Sequence, residues 1–201
     1  HTRRRRQRQM CIRDSNRGKV LNKEDLDEIE NFGRYLDVDN DGICYRTYPG
    51  THPEKGAFFT RGTSHDEYAR YTEDGEVNAA TLSRLMKKFR TASELVPEPV
   101  IEINGEDSCG VIFYGSTSPA VHEAKDILKE KEINIDLMQI RSFPFNLDVW
   151  EFIANHDRIY VVEQNRDSQM RTLIMAEGGI SAEKLRSLVW FYGDPIQAKF
   201  I

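Results

Sequence analysis

From residue 109 onward the chain alternates short apolar runs with segments of helical period, and few folds accept that order. Residues 110–116 (Gly-Val-Ile-Phe-Tyr-Gly-Ser), 133–142, 158–165 and 187–192 have the length and the β-branched or aromatic content of buried strands. Inward positions of the second run are Ile133, Ile135, Leu137 and Ile140, and Pro144 ends it. Helical segments lie between the runs. Ser118-Pro119 supplies an N-cap and a proline at the first helical position, and Val121, Ala124, Ile127 and Leu128 give that helix an apolar face. Residues 146–156 carry Val149, Trp150, Phe152 and Ile153; both Trp150 and Trp190 read as packing residues. Residues 168–177 carry Met170, Leu173 and Ile174 and close on Gly178-Gly179, followed by a helical turn over 182–186. The alternation predicts βαβ units: an α/β domain whose mostly parallel sheet is covered on both faces. Crossovers in such sheets are right-handed, and functional groups gather at the carboxyl ends of the strands. Those ends present Gly115-Ser116-Thr117, Phe143-Pro144-Phe145, Glu163-Gln164-Asn165 and Gly193-Asp194.

The first half is less regular. Leu26, Ile29, Phe32 and Leu36 make an apolar stripe that predicts a helix over 23–36, with Asn22 as N-cap and Asp25 three residues on. Residues 37–76 show neither period. So long an irregular stretch suggests a short element hidden near residues 57–60. Leu82, Leu85, Met86 and Phe89 restore a helical stripe over 78–96, with Lys87, Lys88 and Arg90 off it, ended by Pro97 and Pro99. Pro, Gly, Asn and Asp then accumulate over 97–108, where a linker is expected. The organisation expected is a leader (1–15), a helical and irregular arm (16–96), a linker (97–108) and an α/β domain (109–201).

Composition narrows the classes. The 201 residues are 39% apolar and 30% charged, and no apolar run approaches a bilayer span, so no membrane is expected. Residues 1–15 hold six Arg and one Asp, a net +5 against −5 for the whole chain, so 16–201 carry −5 − 5 = −10. That leader has no hydrophobic period and no apolar core of a secretion signal; it reads as non-native sequence. The acidic remainder disfavours nucleic acid. Cys11, Cys44 and Cys109 are far apart, with no CxxC, which argues against a zinc ribbon or iron–sulfur cluster within this chain. Sparse, odd thiols suit a reducing cytoplasm.

Several groups could carry chemistry. Asp37, Asp39 and Asp41 followed by Gly42 match the opening of an EF-hand loop, but position 12 is Tyr48 instead of glutamate, so an acidic Asx-turn competes with a weak calcium site. Ser64-His65-Asp66-Glu67 places an imidazole beside two carboxylates, either as a proton shuttle or as groups that pin the loop. Arg46 and Arg61 could grip a substrate carboxylate, or pair with Glu67, Glu73 or Asp74 to hold the arm. The turn at Gly115-Ser116-Thr117-Ser118 could receive a phosphate through backbone N–H groups and the helix dipole, but it lacks both common phosphate-loop patterns, and a tight βα turn with an N-cap is the better reading. Glu163, Gln164, Asn165 and Gln169 either line a cleft or cap the following helix, with Asn165 or Asp167 as the capping groups.

The arm also carries a resemblance. Tyr35-Leu-Asp-Val-Asp, then Pro49-Gly-Thr-His-Pro-Glu-Lys-Gly-Ala-Phe-Phe-Thr-Arg-Gly-Thr-Ser-His-Asp-Glu-Tyr68, then Tyr71-Thr-Glu-Asp, resembles the alpha subunit of 2-oxoacid:ferredoxin oxidoreductases, nearest to 2-oxoglutarate synthase. Phe143-Pro-Phe, Val162-Glu-Gln-Asn-Arg-Asp-Ser-Gln-Met-Arg and Gly193-Asp-Pro-Ile agree. The resemblance implies that residues 20–96 close a thiamine-pyrophosphate pyrimidine-binding domain, and that the α/β half is a transketolase-C-terminal-like three-layer domain. It implies an enzyme that converts a 2-oxoacid (2-oxoglutarate or pyruvate), coenzyme A and oxidised ferredoxin into acyl-CoA, carbon dioxide and reduced ferredoxin. Thiamine pyrophosphate, magnesium and a [4Fe–4S] cluster would be held mainly by other domains and by a beta subunit. Arg46, His52, Arg61, His65, Asp66 and Glu67 match the motif by position as a loop near substrate or a subunit interface; no catalytic residue is assigned. A non-catalytic subunit-docking module, and a calcium-binding module through Asp37, Asp39 and Asp41, are the alternatives. The chain alone is expected to be inactive.

Overall fold

The computed structural model describes residues 17–62, 64–104 and 109–201. The basic leader with Cys11, and residues 105–108 of the expected linker, lie outside the described residues. The chain divides into two compact units, His1–Thr91 and Ala92–Ile201.

The second unit is a five-stranded α/β sheet. Its strands are β1 (Val100–Glu102), β2 (Cys109–Tyr114), β3 (Asp136–Ile140), β4 (Arg158–Glu163) and β5 (Leu185–Val189), in the order β1-β3-β2-β4-β5. β2, β3, β4 and β5 pair in parallel. β1 runs antiparallel on β3 and makes a fifth strand where a linker was expected. Successive residues of β2 point to opposite faces. Ile112 joins one cluster with Phe145, Val149, Phe152, Ile153 and Ile174, whereas Val111 and Phe113 join another with Ala120, Val121 and Ile196. Burial on both faces is why β2 and β4 read as unbroken apolar runs. The first face is covered by α4 (Leu147–Asn155) and α5 (Gln169–Gly178), the second by α3 (Ser118–Lys129) and the chain's last residues. That makes three layers. Ile133 is half exposed, because β3 begins only at Asp136. The turn expected over 182–186 gives way early to β5, which starts at Leu185.

Two packing details fix the lower end of this sheet. A Cβ on Gly110 would come within 2.8 Å of the Phe152 ring, so the glycine lets α4 approach β2. Beside it His156, 4% exposed, faces Asp136 through Nε2 at 3.1 Å and the Phe152 carbonyl through Nδ1 at 2.6 Å. The other Asp136 oxygen accepts the Asn104 N–H, which ties the end of β1 to β3.

The first unit is built differently. Helix α1 is only Lys23–Glu28, opened by a capping box between Asn22 and Asp25. The longer helix expected stops because the chain turns extended at Ile29, where the Lys55 ammonium takes the Leu26 and Ile29 carbonyls. Residues 57–60 form no regular element; the arm is ordered instead by single bridges, Val20 with Arg46 and His65 with Tyr71. Helix α2 (Gly75–Ser93) starts on the Asp74 carboxylate, which accepts the Glu76 and Val77 N–H groups. Leu26 and Ala69 are the buried apolar side chains among the unit's described residues. No helix among the described residues is long and apolar enough to cross a membrane.

Candidate functional site

Most of the arm residues are held by local contacts of their own. The His52 Nδ1 accepts the Glu54 and Lys55 N–H groups while Nε2 donates to Asp27 at 3.2 Å, which fixes one neutral tautomer. Asp66 Oδ1 accepts the Tyr68 and Arg70 N–H groups around Ala69, whose φ is +68°. The carboxylate therefore holds a turn with a left-handed residue, and no hydrogen bond or ion pair joins it to the His65 ring. Glu67 is exposed, and its carbonyl accepts the Tyr35 N–H. His65 stacks on the Tyr35 ring at 3.9 Å, its Nδ1 3.0 Å from the Asp66 carbonyl. The Arg34 guanidinium lies 5.4 Å and that of Arg84 6.0 Å from the same tyrosine ring. Arg46 lies over the Tyr48 ring at 5.6 Å and Arg61 is exposed. Among the described residues neither arginine forms the ion pairs with Glu67, Glu73 or Asp74 expected of it. No hydrogen bond joins Arg46, His52, Arg61 and His65 to one another. Tyr35 was not singled out from sequence, although it opens the motif that carries the resemblance.

A cleft of about 460 Å³ lies beside this stack, walled by Tyr35, Asp37, Glu67, Thr81, Arg84 and Lys87. It brings carboxylates and cations to one space. Of the arm candidates, Glu67 reaches its wall.

The acidic loop is satisfied from within. Asp37 Oδ1 accepts the Asp41 and Gly42 N–H groups, an Asx-turn. The Lys19 ammonium donates to Asp39 and Asp41 at 2.6 Å each and to the Ile43 carbonyl, the place a cation would take. Its hydrogen bonds hold both carboxyls below the usual carboxylate range. Lys87 bonds Asn40 and approaches Asp37 at 3.6 Å. Gly42 has φ +80°, and a Cβ there would strike the Lys88 backbone at 2.4 Å. Both lysines are too distant in sequence for a loop motif to reveal them. Among the described residues no group of three His, Cys, Asp or Glu side chains converges on a metal position. Cys44 and Cys109, neither in a disulfide, lie in different units, and burial raises the Cys44 thiol.

The strand ends of the second unit form a connected polar network. Glu163, 0% exposed, accepts the Met170 and Arg171 N–H groups at the start of α5 and the Asn165 amide. Asn165 also accepts the Asp167 and Gln169 N–H groups and bonds the Tyr114 hydroxyl. Helix capping is therefore what Glu163 and Asn165 do here, with Glu163 doing it instead of Asp167. Burial, then the charge of Glu163, raises the Tyr114 hydroxyl. The Gln169 side chain is exposed. Gln164 spans to Ser116 and Thr117, joining the ends of β2 and β4 where the crossovers leave for opposite sides. An open cavity of about 700 Å³ adjoins them, walled by Ser116, Gln164, Trp190, Phe191 and Asp194. The turn before α3 is a 3-10 turn, Gly115–Thr117, and Ser118 sits inside the helix without capping it.

No family model matches the chain. Curated proteins do. The alpha subunit of 2-oxoacid:ferredoxin oxidoreductase 2 from Aeropyrum pernix is 28% identical over 186 residues, 90% of this chain and 27% of that protein. The alpha subunit of 2-oxoacid:ferredoxin oxidoreductase 1 from Sulfurisphaera tokodaii is 29% identical over 164 residues, 79% of this chain and 24% of that protein. The corresponding subunit from Saccharolobus solfataricus is 26% identical over 169 residues, 82% of this chain and 26% of that protein. The chain thus spans about a quarter of the length of the curated relatives it matches. Among solved structures, the 2-oxoglutarate:ferredoxin oxidoreductase from Magnetococcus marinus, solved with 2-oxoglutarate, coenzyme A and succinyl-CoA bound, superposes with a TM-score of 0.73. The match covers 86% of this chain and 30% of that one at 21% identity, a likeness of fold. In sequence, and in a mostly parallel α/β fold, the chain resembles part of the alpha subunits of 2-oxoacid:ferredoxin oxidoreductases.

Proposed function

We propose that this chain is the C-terminal part of the alpha subunit of a 2-oxoacid:ferredoxin oxidoreductase, with 2-oxoglutarate as the substrate first to test. The supporting observation is that sequence similarity to three alpha subunits and a fold match to a 2-oxoglutarate enzyme extend over most of the chain, arm and sheet together. In the assembled enzyme the 2-oxoacid loses carbon dioxide, its acyl group passes to coenzyme A, and ferredoxin takes the electrons. Thiamine pyrophosphate, magnesium and the cluster supply the carbanion and redox chemistry. In this reading they are held outside this chain, with the cluster on a beta subunit. The chain's own part is to shape the wall near substrate through the stacked His65 and Tyr35 and the cleft beside them.

A second reading, a docking module without a role in turnover, is favoured by one feature. Arg46, His52 and His65 are engaged separately, Arg61 is exposed, and the four do not converge. Substituting His65→Ala in the complete, assembled enzyme separates the two. The site reading expects kcat/KM for the 2-oxoacid to fall by about tenfold or more with assembly intact. Unchanged turnover, or loss of the complex itself, removes the role in shaping the substrate wall. The 201-residue chain by itself is expected to show no 2-oxoacid-dependent reduction of ferredoxin, and turnover by it would contradict the proposal.

A further inference from the structure

At the lower end of the sheet a buried imidazole stands between two groups that can only accept. His156 Nδ1 lies 2.6 Å from the Phe152 carbonyl, and its Nε2 lies 3.1 Å from an Asp136 oxygen. A neutral imidazole has one N–H for these two acceptors. The Nε2–carboxylate contact therefore needs a second proton, and the imidazole is the stronger base to hold it. Without that proton a nitrogen lone pair points at a carboxylate oxygen. His156 and Asp136 are 4% and 5% exposed, so little water can come between them. His122 in α3 faces the Ser118 carbonyl at 2.7 Å and Glu102 at 3.0 Å in a similar way, but in a wetter and better supplied place. The Lys125 ammonium holds the other Glu102 oxygen, and the Ser118 hydroxyl lies 3.4 Å from Nδ1 as a further donor. Glu102 thus keeps a partner without an extra proton on its histidine, and Asp136 has no such reserve in Lys125.

We infer that His156 and Asp136 form a proton-dependent latch on the end of β1: the proton on Nε2 holds Asp136 where it accepts the Asn104 N–H, and its loss as pH rises loosens that corner. One carboxylate serves both sides, since Oδ1 takes the Asn104 N–H at 2.6 Å while Oδ2 faces the ring. Three elements meet His156: β3 through Asp136, α4 through the Phe152 carbonyl and ring, and β2 through Gly110. Of these groups Asp136 carries the charge. The closed corner binds the second proton. In the opened corner the ring and the carboxylate turn to water, and the proton leaves more readily. The latch is therefore favoured at lower pH and weakens as pH rises. The Asn104 side-chain amide also donates to the Ile135 carbonyl, a bond that no proton change touches, and β1 keeps its pairing with β3. The expected change is a loosened corner of an otherwise intact sheet. The latch belongs to the sheet itself and does not depend on what the chain catalyses.

Imidazole nitrogen NMR and amide exchange on the 201-residue chain test it. At pH ~6.5 both His156 nitrogens should carry protons. Between pH ~6.5 and pH ~9 the protection factor of the Asn104 amide should fall by about tenfold or more, while those of Val111, Ile112 and Phe113 in β2 stay within about twofold. Asp136→Asn is the matched variant. The new side chain's oxygen can still take the Asn104 N–H, and its amide can donate to a neutral Nε2. There His156 should hold a single proton, on Nδ1, and the Asn104 protection should no longer vary with pH. An unprotonated Nε2 in the parent at pH ~6.5, an Asn104 protection that does not move with pH, or an equal pH dependence in the variant each overturns the latch. If Asp136→Asn does not fold, the parent's own ring spectrum and Asn104 amide still decide.

Discussion

The two units of this chain solve the same problem in opposite ways. In the second, α4 is nine residues long and buries Val149, Phe152 and Ile153 on the sheet. In the first, α2 is more than twice as long and has no fully buried residue, Leu85 being only half-buried. Both helices are amphipathic in sequence. The second unit closes two apolar clusters around its own sheet, whereas the first has Leu26 and Ala69 for a core and holds its loops by lysines, carboxylates and backbone carbonyls. An amphipathic pattern thus states which side of a helix needs cover. It does not state which polypeptide provides it.

The contrast can be broken most sharply by truncating one apolar side chain in each unit. Ile153→Ala, at 1% exposure, should cost about 2–5 kcal/mol in denaturant unfolding, the usual loss for a core isoleucine. Leu82→Ala in the same 201-residue chain should stay within about 0.5 kcal/mol, because the side chain is already in water. Similar costs at both sites would mean that the first unit has a core after all. Next in size is the capping carboxylate. Glu163→Ala leaves the Met170 and Arg171 N–H groups and the Asn165 amide without their acceptor, an expected loss of about 1–3 kcal/mol, with Glu163→Gln milder. A negligible loss on calorimetry would show that water replaces the carboxylate.

The smallest effect is electrostatic and sharpens the comparison from the other side. Lys19 depresses Asp39 and Asp41 in the first unit, and Lys125, with a further bond from His122, depresses Glu102 in the second. A depressed carboxyl binds its proton less readily folded than unfolded. The unfolded chain therefore takes up more protons as pH falls below the ordinary carboxylate range, and stability present above that range is lost on acidification. Amide exchange at Asp41, Gly42 and Ile43, measured down through pH ~4, should quicken before exchange in β2 does. Salt should weaken the effect, since these pairs are partly exposed. An acid transition that reaches both units at one pH would refute the difference.

The sheet was legible because its signals are local. Apolar runs such as 110–114, the Pro at 119 and the Gly178-Gly179 close each mark an element by their own residues. β1 was missed because Val100-Ile101-Glu102 is too short to show a period, and only pairing with β3 makes it a strand. The same limit shortened α1. Leu26, Ile29 and Phe32 keep helical spacing, yet Lys55, twenty-six residues beyond Ile29, takes the carbonyls that end the helix. At the arm, residue types were visible and partners were not. In sequence His52 stood only as a motif position and Asp66 as either a proton shuttle or a loop pin; in the fold both clamp turns, while Tyr35, the ring on which His65 stacks, went unremarked.

Sequence alone determined the α/β class, the order of its helices and parallel strands, and the resemblance carried by the arm, because those depend on spacing along one chain. Tertiary structure decided what each charged side chain does. Lys19 against Asp39 and Asp41, Lys87 against the same loop, and the outward face of α2 all join residues remote in sequence. A hydrogen bond or an uncovered stripe belongs to two surfaces at once, and a one-dimensional pattern describes only one of them.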